Sequence, residues 1–235
     1  MTVLHLRSLE AGYNGVPVVR GLDLEVAAGE VVALLGPNGA GKTTTLRTIS
    51  GLLPTIGGHL EVLGEPTDSR RPHRVARRGV AHVPEDRSLF PGLTVKENLR
   101  LAPGLKRRNR PAAYTRAIDV FPALGPLLHR RAGLLSGGEQ QMLAVARAIV
   151  TEPQLLLVDE MSLGLAPVIV EEMLPVVRRV ADELGTAVIV VEQHIHLALE
   201  LADRAVVLAH GRVVLDGDAA DLRSDPSLVE ASYLG

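Results

Sequence analysis

The sequence contains no cysteine and no tryptophan, and only three Tyr and two Phe. Without thiols there is no disulfide, no thiol nucleophile and no Cys-ligated zinc or iron–sulfur centre. Aromatics make up 2% of the chain, which nearly excludes the base-stacking platforms of single-strand binders. No charge of one sign dominates. The 25 basic residues face 27 acidic ones, a formal net charge of −2, which argues against a globally basic nucleic-acid binder. Long apolar runs are missing too. The hydrophobic fraction is 46%, yet runs such as Ala187–Val191 fall far short of the roughly 18–20 residues that span a membrane. Met1–Arg7 lacks the basic-then-apolar pattern of an export signal. These bounds describe a globular, non-exported chain of 235 residues, expected to form one α/β domain with a core that needs no staple.

Short runs rich in Val, Ile and Leu alternate with longer helical patterns, which points to a largely parallel sheet with crossover helices. Val31–Leu35, Gln154–Val158 and Ala187–Val191 are continuous apolar runs, as strands covered on both faces should be. Leu22, Leu24 and Val26 alternate with Asp23 and Glu25, the pattern of a half-exposed antiparallel strand that Val3–Leu9 could pair with. Ala205–Ala209 and Arg212–Leu215 flank His210-Gly211, a hairpin signal. Together these give a parallel core with an antiparallel β layer in front. Residues 90–132 differ in texture, with five prolines and the basic cluster Lys106–Arg110. They read as short, proline-broken helices forming a helical subdomain, inserted in the core over about residues 90–150. From Asp218 the tail is acidic and polar.

The run Gly36-Pro37-Asn38-Gly39-Ala40-Gly41-Lys42-Thr43 fits G-x-x-x-x-G-K-[ST] at every specified position. A buried strand precedes it, and a helix over Thr43–Ser50, starting into Thr44 and closed by Gly51, comes after it. Glycines let backbone N–H groups converge on phosphate oxygens, and the helix N-terminus adds partial positive charge. Lys42 should reach the β- and γ-phosphates, and the Thr43 hydroxyl should ligate Mg²⁺. Leu155–Asp159, followed by Glu160, is an apolar strand ending in two carboxylates. Asp159 is placed to hold the metal, and Glu160 to polarise an attacking water.

Upstream lies Leu135-Ser136-Gly137-Gly138-Glu139-Gln140-Gln141. Ser136 and Glu139 form a capping box that opens a helix with an apolar face at Met142, Leu143, Ala146, Ile149 and Val150. With the phosphate loop and the Asp159-Glu160 strand, this order resembles the ATP-binding-cassette (ABC) ATPases over nearly the whole chain. The resemblance implies the ABC ATPase fold, a P-loop core with an N-terminal β layer and an inserted helical subdomain. It implies ATP and Mg²⁺ as ligands. It also implies that Ser136, Gly137, Gly138 and Glu139 press on the γ-phosphate held by an opposite subunit, so that two cassettes pair head to tail. Tyr13 falls where the family stacks an aromatic on adenine. Glu85 falls where most members carry Gln, a residue that senses Mg²⁺ and contacts the membrane partner. For the γ-phosphate switch both Gln193 and His194 are candidates. Successive strand residues face opposite ways, so only one can reach, and the family spacing to Leu201-Ala202-Asp203 favours Gln193.

Some loops depart from the general pattern. Met161 replaces the usual Pro, and the following loop lacks its Asp. The wording of Val83–Pro91, Ser162–Pro167, Glu192-Gln193 and the closing Tyr233-Leu234-Gly235 resembles the ATP-binding subunits of branched-chain amino acid importers, with urea and short-chain amide importers similar. The implied partners are membrane permease subunits, a second cassette of a different chain, and an external substrate-binding protein, with no nucleic acid. The implied location is the cytoplasmic face of the membrane. The competing reading is a soluble ABC ATPase acting on nucleic acid or ribosomes. It rests only on Arg70–Arg78 and Lys106–Arg110, stretches that are more often solvated helix faces.

Overall fold

The computed structural model describes every residue except Asp68, Pro226 and Gly235. Gly235 of the terminal motif thus lies outside the described residues, as do the side chains of Tyr233 and Leu234. Two sheets form the framework. Strands β1 (Thr2–Tyr13), β2 (Val16–Ala27), β4 (Thr55–Val62) and β5 (Glu65–Pro66) make an antiparallel sheet in the order β2-β1-β4-β5. Leu6 pairs with Leu24 and Leu9 with Leu22, the pairing that the alternation of Leu22–Val26 predicts. The second sheet has the order β10-β9-β3-β8-β7-β6. It contains β3 (Val31–Leu35), β6 (Val80–Val83), β7 (Leu155–Asp159), β8 (Ala187–Val191), β9 (Arg204–Ala209) and β10 (Arg212–Asp218).

Five of these six strands run parallel, and only β10 is antiparallel, to β9. The C-terminal hairpin therefore finishes the edge of the core sheet and does not join the separate β layer in front. It also reaches past Leu215 to Asp218, because Arg204 binds the Asp216 carboxylate across the pair at 3.0 Å. Strand β7 sits one residue later than the apolar run suggests. Asp159 is its last rung, opposite Val191.

The continuous apolar strands have a clear cause. Alternate residues of β3, β7, β8 and β9 feed two different cores. Val32, Leu34, Leu157, Ile189 and Leu208 pack toward the antiparallel sheet and α1 (Lys42–Ile49). Ala33, Leu156, Val158, Val190 and Val207 pack toward the helices on the other face. Those helices include α5 (Gly137–Ile149), α6 (Pro167–Leu184) and α7 (Ile195–Leu201). Helix α2 (Pro72–Arg78) precedes β6, and α8 (Ala219–Ser224) and α9 (Ser227–Leu234) close the chain. The polar tail thus turns helical: the Asp218 side chain accepts from the Ala220 N–H at 2.8 Å and caps α8.

Between β6 and β7 the chain forms α3 (Val95–Arg100), α4 (Arg110–Val120), short 3₁₀ turns and α5. Thr94 and Glu97 cap α3 reciprocally. Asn98, fully buried, ties the preceding turn together by accepting from Phe90 N at 2.9 Å and donating to the Phe90, Leu93 and Thr94 carbonyls. Lys106–Asn109 are exposed, so most of the basic cluster is a solvated surface. Among the described residues, no helix is long and apolar enough to cross a membrane.

Leu34 sits at the junction of both sheets with no exposed surface. Leu34→Ala is expected to destabilise the chain by about 2–4 kcal/mol, whereas Val16→Ala, at an exposed strand end, is expected to change it by less than about 0.5 kcal/mol. Urea unfolding of the two variants checks this.

Candidate functional site

The phosphate loop leaves the end of β3 and enters α1. Two glycines are dictated by the backbone. A Cβ on Gly36 (φ +143°) would lie 2.2 Å from the Leu208 carbonyl of β9, and one on Gly41 (φ +107°) would lie 2.9 Å from Val19 of β2. Gly41 is the N-cap of α1. It offers no side-chain acceptor, and no acid sits in the first turn. The first N–H groups of a helix have no partner inside it. Here they open onto a cleft of about 290 Å³. One wall of this cleft is the loop and helix start, with Asn38, Gly39, Gly41, Lys42, Thr43 and Thr44. Glu85, Glu160, Gln193 and Val18 form the rest.

Lys42 is buried, and its Nζ donates to the Gly36 and Pro37 carbonyls at 2.7 and 3.1 Å. Burial lowers its pKa, partly opposed by Glu160 and Asp159. Ala40 is buried, and Gly36 and Pro37, which do not line the cleft, hold Lys42 through those carbonyls. The Thr43 hydroxyl donates to Asp159 Oδ1 at 3.3 Å. Asp159 is 1% exposed, and burial pushes its carboxyl up to about 6. Glu160 and Glu85 push the same way, against the Thr43 hydrogen bond and Arg47.

Glu160 has φ +48°, an uncommon backbone for a residue with a side chain, and its N–H donates to the Val191 carbonyl at 2.9 Å. Gln193 Nε2 donates to Glu160 Oε2 at 2.9 Å. His194 is the N-cap of α7 and is not among the residues lining the cleft. Strand alternation does not decide between these two, because β8 ends at Val191, before either residue. Tyr13, at the end of β1, is 43% exposed and lies outside the lining of the cleft.

Ser136, Gly137, Gly138 and Glu139 are absent from that lining as well. Ser136 Oγ accepts from Glu139 N at 3.3 Å, while Glu139 Oε2 accepts from Ser136 N at 2.6 Å, so the capping box is present. Two arginines tie this helix to the loop that carries Glu85. Arg87 donates to Gln141 and Gln140 at 2.8 and 3.2 Å, and Arg147 donates to the Ser88 and Arg87 carbonyls.

Sequence reasoning missed Val18, Arg47, Arg87 and the Ser162–Glu192 contact. Nothing local marks Val18, one valine among several. Glu192 carried a signal, an acid directly after five buried apolar residues. It accepts from the Ser162 N–H at 3.0 Å and from the Ser162 hydroxyl at 2.5 Å, and burial raises its pKa.

A second cleft, of about 410 Å³, lies beside β6 and is mostly apolar. Leu52, Phe90 and Leu101, all about half exposed, line it together with His82 and Ala144. His82 Nδ1 lies 3.1 Å from Ser50 Oγ, its buried Nε2 has no hydrogen-bond partner among the described residues, and burial lowers its pKa to about 4.

A strand–loop–helix with uncapped N–H groups, a buried lysine, a hydroxyl and two strand-end carboxylates defines a nucleoside-triphosphate site. The profile of the ABC transporter family matches residues 19–162. The high-affinity branched-chain amino acid transport ATP-binding protein BraG of Pseudomonas aeruginosa is 39% identical over 224 residues, 95% of each chain. The probable branched-chain amino acid transport ATP-binding protein LivF of Archaeoglobus fulgidus is 35% identical over 221 residues, 94% of each. A solved structure of an ATP-binding subunit of an ABC transporter, 29% identical, superposes with a TM-score of 0.85 over 99% of this chain and 98% of that one. The chain belongs to the ABC transporter family as an ATP-binding cassette that hydrolyses ATP.

Because its carboxyl is raised, ionised Asp159 opposes folding. That cost is complete above about pH 6 and fades as the pH falls toward the ordinary carboxylate range. Asp159→Asn, without nucleotide, is therefore expected to be more stable by about 1–2 kcal/mol at pH 7.5, with the gain shrinking by pH 4.5. Thermal unfolding at both pH values checks it. A gain independent of pH would contradict the assignment.

Proposed function

We propose that this chain is the ATP-hydrolysing subunit of an importer for branched-chain amino acids. The observation that carries the reading is the cleft itself. It gathers the phosphate loop, Glu85, Glu160 and Gln193 from four separate strand ends, with Asp159 one hydrogen bond from Thr43, but leaves Ser136–Glu139 outside. The site then needs a second cassette to be complete, and the capped N-terminus of α5 is the part each chain offers its neighbour. That neighbour is a non-identical cassette in the importers the sequence resembles.

The uncapped N–H groups of α1 and the Lys42 ammonium bind the phosphates. Asn38, Gly39, Gly41 and Thr44 shape the cradle, and Tyr13, from the end of β1, covers the adenine. Thr43, Asp159 and Glu85 fit a divalent cation: a hydroxyl and carboxylates are the donors Mg²⁺ takes, with phosphate oxygens and water completing its shell. Such an ion would neutralise charge on the phosphates. Glu160 orients the water and takes its proton as the water oxygen bonds to the γ-phosphorus and the bond to ADP breaks. Gln193, held on Glu160, is placed to sense the γ-phosphate, and His194 stands next in line. Loss of the γ-phosphate removes what the opposite Ser136–Gly138 grips, and the pair opens.

The apolar cleft beside β6 suits a permease. Glu85 stands at the end of that strand, and Arg87 and Arg147 link its loop to α5. Docking there places the chain peripherally on the cytoplasmic face of the membrane. An external binding protein delivers the substrate, and no nucleic acid takes part. The branched-chain assignment is supported by the names of the relatives and by the loop wording.

Two measurements test this. Glu160→Gln should bind ATP normally, lose about 10²-fold or more in turnover, and accumulate a closed pair of cassettes. Near-normal turnover removes Glu160 from its role. Affinity purification of the tagged chain from detergent-extracted native membranes should recover polytopic membrane proteins and a second cassette. Recovery with ribosomes or RNA would overturn the transport assignment, and uptake of urea or amides in place of branched-chain amino acids would overturn the substrate.

A further inference from the structure

Glu192 is an acid 1% exposed to solvent, placed between the last residue of β8 and Gln193. Both of its carboxylate oxygens are used, and both by one residue. Oε1 accepts from the Ser162 backbone N–H and Oε2 from the Ser162 hydroxyl. Among the described residues no Arg or Lys forms a salt bridge with it. Ser162 stands two residues after Glu160, and Glu160 is bound by the neighbour of Glu192: Gln193 Nε2 donates to Glu160 Oε2. The backbone adds two further ties, Glu160 N to the Val191 carbonyl and Leu163 N to the Glu160 carbonyl at 3.3 Å. The result is a closed ring of residues 160–162 and 191–193, with the left-handed Glu160 inside it.

We infer that Glu192 is a positioning residue for ATP hydrolysis, whose twofold grip on Ser162 fixes the backbone of Glu160 and the reach of Gln193. This rests on the reading of Glu160 as the carboxylate that orients the water. Glu192 is not among the residues lining the cleft. It acts through Glu160 and Gln193, so its loss should slow the chemical step and leave ATP binding alone. A buried carboxylate left with only one donor is itself unfavourable, which makes the two contacts interdependent.

The test is steady-state kinetics on the full chain, purified with the membrane proteins it binds. Glu192→Ala should lower kcat about 30–100-fold, with KM for ATP and the Kd for ATP within about twofold of wild type. Glu192→Gln should recover kcat to within about fivefold of wild type, because the amide oxygen can still accept from the Ser162 N–H and the amide N–H can meet its hydroxyl. Ser162→Ala should lower kcat about 3–10-fold, and adding it to Glu192→Ala should cost nothing more. The inference is overturned if kcat is unchanged in Glu192→Ala, if KM and Kd move with kcat, or if Gln recovers no more than Ala. If the alanine variant does not fold, Glu192→Gln and Ser162→Ala carry the same test. Glu160→Gln, measured alongside, separates the two readings. Lost turnover there with normal turnover in Glu192→Ala defeats only this inference, whereas normal turnover in Glu160→Gln defeats the assignment of Glu160 itself.

Discussion

A carboxylate buried at the end of a strand, against a helix start that carries no acid, is the constraint around which the cleft is built. Asp159 is taken out of water by the core around it, and its pKa rises in consequence. Among the described residues no arginine or lysine forms a salt bridge with it. Its carboxylate accepts from Thr43, the second residue of α1. The helix end opposite, uncapped and free of acidic residues in its first turn, is equally incomplete. Each side of the cleft thus holds what the other lacks only in part, and in the function proposed above phosphate with a cation would satisfy both. Burial disfavours the charged form of Asp159, and that charge would be compensated by a ligand in the cleft.

The sheet explains how these groups meet. The parallel pairings put the ends of β3, β6, β7 and β8 on one side, with Leu34 opposite Val191, Val191 opposite Asp159 and Val83 opposite Val158. Ligands of open parallel sheets bind outside such carboxyl ends. Each of these strands leads into the lining of the cleft: the glycine-rich loop after β3, Glu85 after β6, Glu160 after β7 and Gln193 after β8. Helix α5 is joined to the same rim by Arg87 and Arg147, which bind the loop following Glu85 to the helix that Ser136 caps.

The phosphate loop was legible in the sequence because its chemistry leaves little freedom. Gly36 and Gly41 occupy backbone space that no side chain tolerates, and Lys42 and Thr43 come at fixed offsets after them. The buried strands were legible because both of their faces are covered. Other parts were not. The edge position of the C-terminal hairpin depends on strands far away in sequence, and β9 reads the same whether it lies in one sheet or the other. Gln193 and His194 lie past the end of β8, where period-two reasoning stops. Glu192 is bound by a residue 30 positions earlier in the chain, a contact that no local pattern records.

The central claim is that the energetic cost of burying Asp159 is recovered when nucleotide and cation fill the cleft. The most direct measurement is thermal unfolding at pH 7.5 with and without saturating MgATP, for the wild-type chain and for Asp159→Asn. MgATP is expected to raise the Tm of the wild type clearly more than that of the variant, because only the wild type carries the charge that the ligand compensates. Equal shifts in both would contradict it, and no shift in the wild type would deny that the cleft binds nucleotide at all.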